Sequence, residues 1–267
     1  MNRIAALLGK ELADLRSNPA VFVPAIITGA ISIVMPFVIA VAVPYFSGER
    51  LADSSDFRIA LEIYRDQPAT RSLDPEGAIQ AMIFQQFLIL LVLTPVAGAM
   101  SVAAYAVVGE KQARTLEPLL STPITTFELL AAKVLGALVP GIVLVTVCFA
   151  LYVGGVTLFA HPGVYRSLCY PRALLTMFLL GPLASLAALQ MAVCVSSRVN
   201  DARSAQQIGA LIILPISVLL IAEFTNNLQL TSRLVLLISS GLAALNIVLM
   251  AVGIRLFDRE SILTRWK

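Results

Sequence analysis

Six stretches of the chain carry no charged residue: Ser17–Gly48, Gly77–Gly109, Val134–Tyr165, Ala173–Ser197, Ser204–Ala222 and Leu234–Ile254. Crossing a hydrocarbon core of about 30 Å takes about 20 helical residues at about 1.5 Å each. Five stretches meet that length and the fifth in order, with 19 residues, is marginal. The pattern therefore predicts six spans, near Val21–Val43, Ile79–Val108, Val134–Ala160, Ala173–Ser196, Ala205–Ala222 and Leu234–Ile254. Helix breakers interrupt most of them: Pro24 and Pro36, Pro95 and Gly98, Pro140-Gly141 and Gly154-Gly155, Gly181-Pro182, and Pro215. Bent or rocking helices are the expectation, although Pro and Gly are also simply commoner in membrane helices than in soluble ones.

Three segments lie outside the spans. In Met1–Arg16, Ile4, Leu7, Leu8, Leu12 and Leu15 recur at helical spacing, while Lys10, Glu11 and Asp14 interrupt any signal-peptide core. That pattern predicts an amphipathic helix lying in the membrane interface, with Lys10 and Arg16 toward the headgroups. Pro44–Ala78 is a small polar cap in which Phe57, Ile59, Leu61 and Ile63 alternate with Arg58, Ala60, Glu62 and Tyr64, a strand period. At its end Asp74-Pro75-Glu76 supplies an N-cap, a first-turn proline and a dipole-matched acid for the second span. The third segment is Gly109–Glu128.

Composition agrees with the pattern. Of the 267 residues 58% are hydrophobic and 13% charged, about half the charge of a soluble domain, and mean hydropathy is +0.88. An ordinary soluble enzyme and a disordered chain are both excluded. Three cysteines make no disulfide framework. The net charge of +3 is too small to argue for nucleic acid. Placing the N-terminus inside puts 12 of the 19 basic residues on the cytoplasmic side, and four of the seven outer ones lie in the acidic first loop. The positive-inside rule thus predicts a multi-pass cytoplasmic (inner) membrane protein with both termini in the cytoplasm.

Candidate chemistry is sparse. None of the four lysines sits in a GxxxxGK[ST] loop. One histidine, His161, and the scattered Cys148, Cys169 and Cys194 cannot build a four-ligand zinc site. No span carries a central acid or base of the kind that proton-coupled transporters use. The expectation is a chain that is not an enzyme and binds no cofactor or metal itself. The large amides Gln86, Gln190 and Asn246 remain as candidates to line a pathway, with interhelical hydrogen bonding as the alternative reading.

Positive signal is concentrated in Gly109–Lys133. Glu110 and Arg114 stand at i,i+4 and can pair. Leu116, Leu119 and Leu120 form an apolar stripe, Pro123 ends what precedes it, and Thr125-x-x-Glu128 is a capping box opening the next helix. The run EKQARTLEPLLSTPITTFELLAAK resembles the signature of permease subunits of type-2 ABC exporters, which include sodium- and drug-efflux permeases. The leader Lys10-Glu11-Leu12-x-x-Leu15-Arg16 resembles that family's entrance helix, and six spans with both termini inside match its topology. Two features depart from the pattern. Pro118 interrupts the helix of the signature, and only Glu223–Arg233 is left for the outer re-entrant pair that relatives often carry.

The resemblance implies one all-α transmembrane domain over residues 1–267: an interfacial helix at 1–16, an extracytoplasmic cap at 44–78, and a cytoplasmic coupling helix within 109–128. It implies that Glu110, Arg114, Thr115, Glu117, Leu119 and Leu120 dock on a separate cytoplasmic ABC ATPase. Two copies of that ATPase would bind ATP and magnesium and drive export through a homo- or heterodimer of permease chains in the membrane lipid. The rival reading is a membrane scaffold or assembly factor holding a cytoplasmic partner that is not an ATPase.

Overall fold

A computed structural model of the chain describes residues 3–17, 22–53, 57, 69–112, 125–196, 207, 211, 213–224 and 230–256. Those residues are almost entirely helical, and no strand occurs among them. The elements are α1 (Arg3–Ser17), α2 (Val23–Phe37), a π turn (Val38–Ala42), α3 (Val43–Ser47), a 3-10 turn (Leu51–Asp53), α4 (Pro75–Gln112), α5 (Thr126–Phe159), α6 (Val164–Leu168), α7 (Pro171–Leu175), a second π turn (Thr176–Leu180), α8 (Gly181–Ser196), α9 (Ile213–Phe224) and α10 (Ser232–Leu256). Among the described residues, five helices are long and apolar enough to cross a membrane: Val23–Ser47, Pro75–Val102, Thr126–Phe159, Pro171–Val195 and Ser232–Leu256. Where the sequence predicts the fifth of six spans, the described helix is α9, with 12 residues. Of the expected strand segment, only Phe57 is described.

The central helix is α4. In its apolar window 83% of residues are buried, against 17–56% in the other four. A helix apolar on all sides is stable against lipid as well as inside a protein; what buries this one is the ring of α2, α5, α8 and α9, which all pack on it. Its start is fixed as the sequence predicts. Asp74 caps it, Oδ1 accepting the Gly77 N–H at 3.3 Å, and Pro75 occupies the first turn.

Pro44 and Pro182 change the helical winding, whereas Pro36, Pro95 and Pro140 do not. Each π turn ends two residues before a proline, Pro44 or Pro182. An α-helical Ala40 carbonyl would accept from residue 44, but proline has no N–H and its ring crowds that carbonyl. One extra residue in the turn relieves the clash, so the first span continues through Pro44 to Ser47 instead of giving way to the cap at residue 44. Pro95 and Pro140 sit inside uninterrupted α4 and α5.

The Ala40 carbonyl finds another donor. Gln80 of α4 gives it an amide N–H at 3.1 Å, while its own Oε1 accepts the His161 backbone N–H at 2.7 Å. One buried side chain therefore ties the π turn, the central helix and the loop after α5. Glu76, one turn earlier, accepts the N–H groups of Leu51 and Ala52 at 3.3 and 3.1 Å. Below these lies an aromatic knot. Phe37, Phe84 and Tyr152 meet at centroid distances of 5.0–5.9 Å, and the Tyr152 hydroxyl donates to the Phe84 carbonyl at 2.8 Å. Gly155 admits the Phe37 ring, since a Cβ there would stand 2.7 Å from it.

Candidate functional site

The sequence directs attention to the helix that follows Gly109–Glu128, and α5 begins there with a complete capping box. The Thr125 Oγ1 accepts the Glu128 N–H at 3.2 Å, and the Glu128 carboxylate accepts the Thr125 N–H at 2.8 Å. Two orphan N–H groups are thereby satisfied at the point where the chain turns into the bundle.

Just over one turn further on, Lys133 is buried and its Nζ lies 3.1 Å from Glu11 Oε1 of α1, the side chains being 2% and 10% exposed. Next along α5 is Gly136. A Cβ there would stand 2.8 Å from the Glu11 Cβ, so glycine sets how closely α1 can lie on α5. Leu7, one turn before Glu11, is buried too, whereas Leu8, Leu12 and Leu15 are half-buried. The best-buried stripe of α1 thus faces protein and includes a carboxylate. A buried charge is retained only where it is paired, and removing one partner of such a pair costs about 3–5 kcal/mol. α1 is therefore pinned to α5 in position and rotation.

The candidate pathway amides divide. Gln190 of α8 is buried, its Oε1 has no partner among the described residues, and it lines a void of about 10 Å³ with Leu130, Val134, Cys194 and Gly253. A void that size holds a single water, so it is no conduit. Asn246 of α10 donates to the carbonyls of Leu183 and Leu242 at 3.0 and 2.8 Å, which makes it a bond between α8 and α10; its Oδ1 has no partner among the described residues. Gln86 is buried on α4 and hydrogen-bonded or otherwise paired. Neither Asn246 nor Gln86 lines the void beside Gln190. Of the candidate coupling residues, Glu110 lies near the end of α4 with its side chain outside the described residues, as are Arg114, Thr115, Glu117, Leu119 and Leu120 altogether.

A family model described as "ABC-2 family transporter protein" matches residues 5–233, which takes in α1, the joint with α5 and all the helices up to the start of α10. The chain belongs to the ABC-2 transporter family. No match to the sequence is found among curated proteins. Family membership makes this chain a membrane-embedded permease subunit of an ABC transporter, and it implies an ABC ATPase as partner.

Within this ABC-2 permease the residues that sequence reasoning missed are Glu11, Lys133 and Gln80. The signal for the first two was present. Glu11 falls one turn after Leu7 on the apolar face of α1, and Lys133 is a charge at the mouth of an apolar span. What spacing does not show is that the two anomalies answer each other across 122 positions. Gln80 carried no such signal, because its role depends on a carbonyl that Pro44 leaves without its helical donor.

Proposed function

We propose that this ABC-2 permease is the membrane domain of an ATP-driven exporter in the cytoplasmic membrane, with six spans and both termini in the cytoplasm. The fifth span is centred on α9. Two such chains, identical or similar, pair in the bilayer, and each engages one copy of a separate cytoplasmic ATPase. That ATPase holds ATP and magnesium; the permease breaks no bond in the cargo. Contact is made through 109–128, with Glu110, Arg114, Thr115, Glu117, Leu119 and Leu120 against a groove on the ATPase.

The observation that carries this reading is the buried Glu11–Lys133 joint. ATP binding draws the two ATPases together and displaces 109–128. The capped start of α5 takes up the displacement, and the ion pair compels α1 to travel with it, so two surface helices and a span move as one body. The polar groups inside the spans are amides and hydroxyls, with no carboxylate at mid-depth, which favours an amphipathic or lipid-like cargo over a bare cation.

The test is purification from native membranes in mild detergent. A stoichiometric subunit bearing Walker motifs is the expected companion; recovery of the chain alone, or with partners of other kinds, overturns the proposal and leaves the scaffold reading. Glu117→Arg sharpens it. The variant should insert normally yet release the ATPase or lose cargo-stimulated ATP hydrolysis, and an unchanged response would remove this segment from the coupling role.

A further inference from the structure

Two buried oxygens of α10 recur seven residues apart, Ser239 Oγ and Asn246 Oδ1, and neither has a partner among the described residues. Seven residues further along the same face stands Gly253. Opposite it on α8, across the small void described above, is a third such oxygen, Gln190 Oε1. The facing helix keeps the same step, since Leu183, whose carbonyl accepts from Asn246, lies seven residues before Gln190. α8 and α10 therefore run side by side in one direction, with a heptad seam between them.

At the Gln190 layer that seam is short of both volume and a donor. Gly253 brings no side chain, and the void of about 10 Å³ lies between it, Gln190 and Leu130 of α5. A water needs at least about 10 Å³ and two polar partners. Gln190 Oε1 is one, and the Leu249 carbonyl, which the Cys194 thiol reaches at 3.8 Å, is another on the same wall. Depth supplies the source. The lipid-facing stripe of α5 begins at Leu135, so Leu130 and Val134, which line the void, sit at the edge of the hydrocarbon nearer α1, close to interfacial water. We propose that this void binds one ordered water, which donates to Gln190 Oε1 and to the Leu249 carbonyl and lies against the Cys194 sulfur. The water completes the packing of α5, α8 and α10 beside Lys133. The site concerns the fit of three helices and not the ATPase, so it stands or falls separately from the coupling proposal.

The test is a pair of substitutions read in two ways. Gly253→Ala fills the void without a clash: its Cβ would stand 3.6 Å from the Cys194 Sγ and the Leu130 Cδ1, and no atom of Gln190 lies within 4 Å of it. In the parent chain the new methyl expels the water and strands Gln190 Oε1. In a Gln190→Leu chain it meets an apolar void and only improves the packing. The change that Gly253→Ala makes to the midpoint of thermal unfolding should therefore be more favourable in the Gln190→Leu chain than in the parent. Residues 190 and 253 do not touch, so this coupling needs something between them. Equal changes in the two chains overturn the proposal. The second reading is X-ray radiolytic footprinting of the full-length chain in lipid nanodiscs, in which hydroxyl radicals formed from bound water oxidise the side chains beside it. Met250 and Cys194 line the void, and Met177, 1% exposed, is the buried reference. Oxidation of Met250 and Cys194 should stand above that of Met177 in the parent and fall in both single variants. Oxidation that is unchanged in both variants, or no greater than at Met177 in the parent, overturns the proposal, and Gln190→Leu alone decides it if Gly253→Ala fails to insert.

Discussion

Adjacent glycines in α5 show how far a single residue's meaning depends on its surroundings. Gly154 has nothing within 4 Å of where a Cβ would stand, whereas a Cβ on Gly155 would be 2.7 Å from the Phe37 ring. Gly154→Ala should therefore raise the midpoint of thermal unfolding in detergent, since alanine stabilises a helix interior by about 0.5–1 kcal/mol over glycine. Gly155→Ala should lower it, overpacking costing about 1–3 kcal/mol. Similar shifts for the two variants would discredit the Phe37 contact. At the joint, Glu11→Gln or Lys133→Met alone leaves a buried charge and should destabilise by about 3–5 kcal/mol, while replacing both by apolar residues should cost much less. Equal losses for the single and double variants would show that the two side chains do not act as a pair.

Among the elements, the sequence was legible wherever a local rule decides. Asp74-Pro75 and Thr125-x-x-Glu128 each mark a helix start that the structure reproduces, because capping is settled within four residues. Breakers were not legible in that way. Pro36, Pro44, Pro95, Pro140 and Pro182 look alike in sequence, yet only Pro44 and Pro182 follow π turns. The Ala40 carbonyl next to Pro44 is buried and needs an outside donor, which Gln80 provides from 40 positions away. Gln80→Met should leave the buried Ala40 carbonyl unpaired, a loss of about 1–3 kcal/mol, while the N–H of exposed His161 turns to water at smaller cost. Adding Pro44→Ala restores an N–H at residue 44 and should recover about 1 kcal/mol of that loss. A cycle with no such coupling would detach the proline from the glutamine.

For the molecule as a whole, hydropathy identified the membrane class and five of the spans, and the signature pointed to the family. Which helix sits at the centre was not readable, because an all-round apolar helix inside a bundle and one facing lipid on one side have similar composition. Nor did the amides declare their role: Asn246 closes on carbonyls of α8 and of its own helix, a pairing that composition cannot foresee. The rigid joint makes a claim at this scale. In a chain whose own three cysteines are replaced, Glu11→Cys and Lys133→Cys joined by a short bifunctional thiol reagent should leave cargo-stimulated ATP hydrolysis within about twofold, because removing both charges together strands neither. Strong inhibition on cross-linking would mean that α1 and α5 must part during the cycle.

The knot around Tyr152 has a mechanical consequence. α5 is an unbroken rod from Thr126 to Phe159, clamped near its far end where the Tyr152 hydroxyl meets the Phe84 carbonyl and Phe37 seats on Gly155. Taken as a fulcrum, that clamp leaves about 39 Å of rod on the α1 side and about 10 Å beyond it. Such a lever trades distance for force: a swing of several ångströms at the capped end emerges past the knot as a movement roughly a quarter as large and correspondingly stronger, in the opposite sense. Any gate driven by the short arm would be one that needs to be forced a little way, not swept wide.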